Sequence, residues 1–127
     1  MLSIFLVFVG GGIGAALRHG VNVSAAAWFG TGFPWGTIIV NIVGSFVIGA
    51  LAAWFAFRGD AMWTQPLRLF LATGILGGFT TFSAFSLDFA LLFERGEIGQ
   101  GVAYVLVSVL LSLAAVFAGL FVVRSMA

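Results

Sequence analysis

Four stretches of the chain run almost free of charged residues: positions 2–17, 36–57, about 67–93 and 100–123. A helix needs roughly 20 apolar residues to cross about 30 Å of hydrocarbon, so the pattern predicts four transmembrane helices. Strands of a membrane barrel would show about ten residues of alternating polarity, which these stretches lack. The intervening segments, RHGVNVSAAAWFGTGFPW, RGDAMWTQPLR and ERGEIG, carry charges, glycine or proline and read as connections. Pro34 suits a helix start, and Trp28, Trp35, Trp54 and Trp63 suit the two interfacial belts. The first stretch is short and resembles the apolar part of a signal peptide. No basic residue precedes it, however, and Gly10 and Gly14 stand at helix-packing spacing, so it reads as a span.

Polar residues inside the spans are the next signal, because lipid offers them no partner. In the second span Thr37, Asn41, Ser45 and Gly49 follow at intervals of four, a stripe polar at one end and small at the other. Asn41 alone would read as interhelical glue; with these neighbours it reads as part of a polar face. Tyr104, Ser108 and Ser112 form a similar stripe in the fourth span, over a rise of roughly 12 Å. A lone buried serine usually bonds back to its own helix, whereas a tyrosine and two serines in register look like a polar track.

The third span contains GGFTTFSAFS, residues 77–86. Gly74, Gly77 and Gly78 followed by Thr80 and Thr81 are poor helix formers, so a break is expected there. Broken helices at membrane depth occur where the freed backbone is buried or lines a cavity, and their carbonyls often hold a cation. The alternative is an intact helix crossing tightly at its glycines. Beyond the break, Phe82 and Phe85 share one helical face. A ring edge is electropositive and touches anions; a ring face favours cations. Most of the fifteen phenylalanines are expected to be simple packing, and the hydroxyls beside this pair set it apart.

Composition narrows the function. Hydrophobic residues make up 62% of the 127 positions and charged residues 7%, which places the chain in a membrane as a single domain. Zero cysteines exclude thiolate metal sites and cysteine nucleophiles. A net charge of +1 without a basic run excludes nucleic acid as a partner. One histidine, His19, builds no metal site by itself, no serine has a base at motif spacing, and no enzyme is expected. Asp88, Glu94 and Glu97 fall toward the end of the third span or beyond it, and no carboxylate lies in the other three. Proton-coupled carriers commonly use an intramembrane acid, so a passive route for a neutral or anionic solute fits better. Arg18, at the end of the first span, adds positive potential for an anion or snorkels to the interface.

Four crossings put Arg58, Arg68 and Arg124 on one side and Arg18 and Arg95 on the other. Three against two is a weak orientation bias, compatible with insertion in both directions and with an antiparallel homodimer. The pairs Gly10/Gly14, Ser45/Gly49 and Gly74/Gly78 fit either helix association in such a dimer or packing within one chain.

Taken together, GGGIGAALR (10–18), GTIIVNIVGSFVIG (36–49) and GGFTTFSAFS resemble, in order, spacing and chain length, the Fluc (CrcB) family of fluoride channels. The resemblance implies an all-α, dual-topology antiparallel homodimer in the cytoplasmic membrane, with two fluoride pores and a sodium ion at the centre of the interface. It implies that Gly77 and Thr80 offer backbone carbonyls to that sodium. Phe82 and Phe85 would present ring edges to fluoride, with Asn41 and Ser83 beside them. Tyr104, Ser108 and Ser112 would form the polar track, Thr37 would line the pore and Arg18 would stand near the aqueous vestibule. Ala84 replaces a threonine that many relatives carry. Two other readings are a small four-helix multidrug exporter, which wants a carboxylate in the first helix, and a structural membrane subunit without transport.

Overall fold

The structure, a computed structural model, describes residues 1–58 and 62–126. Gly59, Asp60 and Ala61 of the second connection, and Ala127, lie outside the described residues. The described chain is helical throughout: α1 (Leu2–Phe29), α2 (Trp35–Phe57), α3 (Thr64–Arg68), a π-helical segment (Leu69–Leu76), α4 (Gly77–Phe79), α5 (Ser83–Glu94) and α6 (Ile98–Met126). From α3 to α5 the chain makes one apolar span of 31 residues, Thr64–Glu94; with α1, α2 and α6 this gives four spans, each long enough to cross a bilayer. Both chain termini lie at one end of the bundle, the terminal end. The connections 30–34 and 95–97 lie at the other, the loop end, where Arg95 Nη2 donates to the Gly32 carbonyl (3.0 Å) and pairs with Glu97 (3.0 Å).

The first span is longer than the hydrophobic pattern indicated. Most of the expected connection after Arg18 is helix, because Ala25, Ala26 and Ala27 are strong helix formers and Gly20 alone does not end a helix. The chain turns only at Gly30, whose φ of 80° suits glycine. Arg18 is therefore not at a helix end: it lies within the span, about 16 Å short of Phe29 at 1.5 Å per residue. That also removes it from the count of flanking charges, which becomes Arg58, Arg68 and Arg124 at the terminal end against Arg95 at the loop end.

Backbone approach holds the bundle together. A Cβ on Gly10 would stand 2.6 Å from the Phe70 carbonyl oxygen and 3.0 Å from Gly74 Cα; Gly14 abuts the Ile75 carbonyl, and Gly78 abuts the backbone of Gly11. Gly49 on α2 meets the Val116 carbonyl, and Gly119 on α6 meets the Phe46 carbonyl. These glycines let α1 lie on the third span and α2 on α6, and any side chain there would force the helices apart. Gly10, Gly14, Gly49, Gly74 and Gly78 of the expected small-residue pairs thus pack within the chain, while Ser45 lines the central cavity described below. The core sits toward the loop end, around Tyr104, Ile38 and Leu92. Large apolar side chains such as Phe8 and Phe121 point outward, as they do in a protein whose solvent is hydrocarbon.

Candidate functional site

The third span breaks just after its glycines, at Thr80, whose backbone is extended (φ −85°, ψ 161°). The glycines themselves are helical, the first of them within the π-helical segment, a widened turn common near functional sites. Side chains of Asn41, Thr81 and Arg18 take over hydrogen bonds that the break releases, and the Thr80 hydroxyl adds a second donor to a carbonyl that keeps its helical one. Asn41 on α2 pairs with both backbone groups of Thr81: its Oδ1 accepts from the Thr81 N–H (2.9 Å) and its Nδ2 donates to the Thr81 carbonyl (3.1 Å). Thr81 Oγ1 accepts from the Ala84 N–H (3.1 Å) in the manner of a helix cap. Thr80 Oγ1 donates to the Leu76 carbonyl (3.0 Å), while its methyl seats against Gly44. Arg18 Nε donates to the Gly78 carbonyl (3.0 Å).

Two carbonyls lose their helical donors in this exchange. In a continuous helix the Thr81 N–H would serve Gly77 and the Ala84 N–H would serve Thr80; here both are diverted to side-chain oxygens. Gly77 and Thr80 are the residues from which a carbonyl-bound cation is expected, and their chemistry fits one. Among the described residues no cluster of histidine and carboxylate offers another metal site.

Beside the break lies a cavity of about 310 Å³, lined by Asn41, Thr81, Phe82, Phe85, Ser108 and Ser112. The two rings are 5.5 Å apart at 43°. Phe85 also leans on Tyr104 at 5.2 Å, while Phe82 is 78% exposed and stands at the open mouth of the cavity. The Ser108 and Ser112 hydroxyls are buried and have no hydrogen-bond partner. They do not bond back to their own helix as single buried serines usually do. Ser83 is at the rim, its Oγ 3.4 Å from Thr81 Oγ1.

A second cavity, also about 310 Å³, opens at the loop end and is lined in part by Asn22, Thr37, Ala84, Asp88 and Arg95. Between the two cavities is a hydrogen-bonded layer. Thr37 Oγ1 donates to Asp88 Oδ2 (2.7 Å), and the Tyr104 hydroxyl donates to the same oxygen (2.9 Å). Tyr104 is fully buried, its ring edge-on to Phe33 at 90°.

The expected residues therefore divide. Asn41, Phe82, Phe85, Ser108 and Ser112 come together around the central cavity. Thr37 lines the outer cavity instead, and Tyr104, on the same face of α6 as the two serines, lies in the layer between. Arg18 is bonded into the break. Asp88, which the sequence places toward the end of the third span without a role, is the common acceptor for two of the expected hydroxyls. Its spacing held a clue, since it follows Phe85 by three and so shares the rings' helical face.

Residues 5–120 match the family model described as CrcB-like protein, Camphor Resistance (CrcB). The chain is similar to the fluoride-specific ion channel FluC 2 of Nitrobacter hamburgensis, 57% identical over 123 residues that make up 97% of this chain and 98% of that one. The fluoride-specific ion channels FluC of Methylobacterium nodulans (56% over 124 residues, 98% of each chain) and Rhizobium etli (54% over 127 residues, 100% of each chain) are similarly related.

Proposed function

Because the chain belongs to the CrcB-like family, we propose that it is a fluoride-selective channel through which the ion leaves the cell passively, limiting fluoride toxicity. It is a multi-pass protein of the cell membrane and not an enzyme. The observation that carries the reading is the central cavity, where an aromatic pair faces two buried hydroxyls without partners. Fluoride is small and tightly hydrated, so a selective pore must replace its water with donors while holding it loosely enough to release. The Ser108 and Ser112 hydroxyls and the electropositive edges of Phe82 and Phe85 are groups of that kind. Buried polar groups are normally satisfied, and an anion arriving from either end would satisfy these.

A polar cavity that opens on the hydrocarbon side of a single chain is unfinished, since lipid cannot complete it. A second copy closes it in this reading, making a homodimer with two pores. The antiparallel arrangement follows from the family resemblance; the flanking arginines, three against one, do not argue for it. The freed carbonyls of Gly77 and Thr80 support a sodium ion shared between the copies, which would neutralise carbonyl dipoles where two broken helices meet.

Purified protein in liposomes loaded with potassium fluoride, with valinomycin to carry the counter-charge, should release fluoride at a rate proportional to protein and without a proton gradient. Absence of fluoride release would overturn the channel reading. Cysteines introduced singly at the loop end should be labelled from both sides of the membrane if the dimer is antiparallel, and from one side if it is not. Replacing sodium by a large organic cation should lower flux and dimer retention together if the carbonyl site is structural.

A further inference from the structure

At the terminal end, two arginines are held on aromatic rings in a way that neither the fold nor the pore requires. Arg58, at the end of α2, lies 5.2 Å over the Trp54 ring, and Arg68, at the end of α3, lies 5.1 Å over the Phe55 ring. Trp54 packs against Trp63 at 5.5 Å with the rings tilted by 46°, and Phe55 is almost wholly buried, so both rings beneath the guanidinium groups are packed against other side chains. Both arginines are exposed, and among the described residues neither has a carboxylate within ion-pair reach; Asp60, two residues beyond Arg58, lies outside the described residues, and the one ion pair among them, Arg95–Glu97, is at the loop end. A ring beneath a guanidinium occupies one face and leaves its N–H edges free, the edges that grip a phosphate in a forked contact. Directly beside Trp63 is an apolar groove of about 310 Å³ lined by Leu6, Trp63, Pro66, Leu67 and Phe70. Its walls run from the interfacial tryptophan down the third span, the direction taken by an acyl chain below its headgroup.

We propose that Arg58 and Arg68, with this groove, form a binding site for one anionic phospholipid, the arginines holding the phosphate and the groove an acyl chain. Charge complementarity selects an anionic headgroup over a zwitterionic one, and the groove selects a lipid over free phosphate. The site depends only on the chain lying in a bilayer, not on what the chain conducts.

Native mass spectrometry of the detergent-solubilised full chain, with phosphatidylglycerol and phosphatidylcholine of identical acyl chains in competition, tests it. The protein should retain phosphatidylglycerol in excess, and that excess should fall about fivefold for each arginine changed in Arg58→Gln and Arg68→Gln. Arg95→Gln, at the opposite end, should leave it unchanged. Trp54→Leu keeps both charges but removes one platform, and should reduce the excess about two- to threefold. Excess inorganic phosphate should not displace the lipid. An unaltered phosphatidylglycerol excess in the Arg58→Gln/Arg68→Gln protein or in Trp54→Leu, or displacement by inorganic phosphate, would overturn the proposal.

Discussion

The two polar regions of the bundle both contain buried hydroxyls and are built on opposite terms. In the layer at Asp88, the Thr37 and Tyr104 hydroxyls donate to one carboxyl oxygen and have no O–H left for an anion. In the cavity at the break, the Ser108 and Ser112 hydroxyls have no partner at all. They stand one and two turns along α6 from Tyr104, so neither burial nor helix geometry explains the difference. A satisfied hydroxyl stabilises the fold by roughly 1.5 to 3 kcal/mol when its acceptor is charged, whereas an unsatisfied one costs about 1 to 3 kcal/mol. The first region holds the helices in place. The second leaves hydrogen-bonding capacity open where an ion can use it.

Asn41 links the two terms, since its amide replaces the backbone partners of Thr81 and also lines the cavity. Asn41→Asp should have the largest effect. It puts an oxygen where Thr81 receives its donor and a buried negative charge beside the anion path, and fluoride efflux should fall by at least about 100-fold. Retained efflux would separate the break from the path. Phe82→Ile or Phe85→Ile should lower efflux by about tenfold or more while the size-exclusion profile stays unchanged, because each removes a ring edge and no hydrogen bond. Unaltered efflux in both would remove the rings from the account.

Deleting one hydroxyl from each region should have opposite consequences. Tyr104→Phe should destabilise the protein by roughly 1.5 to 3 kcal/mol, read from thermal or denaturant unfolding in detergent, since it removes a bond to Asp88 and leaves the volume nearly unchanged. Ser112→Ala should behave in the opposite sense. With no bond to lose and an unsatisfied hydroxyl removed, the protein should be no less stable and gain up to about 1 to 3 kcal/mol, while fluoride efflux drops a few-fold. Equal losses of stability in the two variants would mean that the regions do not differ as described.

Much of this was legible in the residues. The four spans follow from hydropathy, and the break from three glycines and two threonines close together. The stripe through Asn41 and the one through Ser108 and Ser112 point to faces that the fold brings into one cavity. What escaped depended on contacts between spans. Arg18 reads as a helix end because charge interrupts hydropathy there. Only a partner on another helix, the Gly78 carbonyl, makes it tolerable within the span. Asp88 reads as belonging to the end of its span, since its donors are 51 and 16 residues away in sequence. The glycine pairs could serve one chain or two, and the backbones they touch within the chain, those of the neighbouring spans, are visible only in the fold.

Selectivity tests the central claim most directly: fluoride and chloride efflux from the same preparation of liposomes, for the unmodified protein and for Ser108→Ala/Ser112→Ala. The account predicts rapid fluoride release with chloride retained, and slower fluoride release from the double variant with its fold intact. Chloride leaving as fast as fluoride, or fluoride release indifferent to both serines, would contradict it.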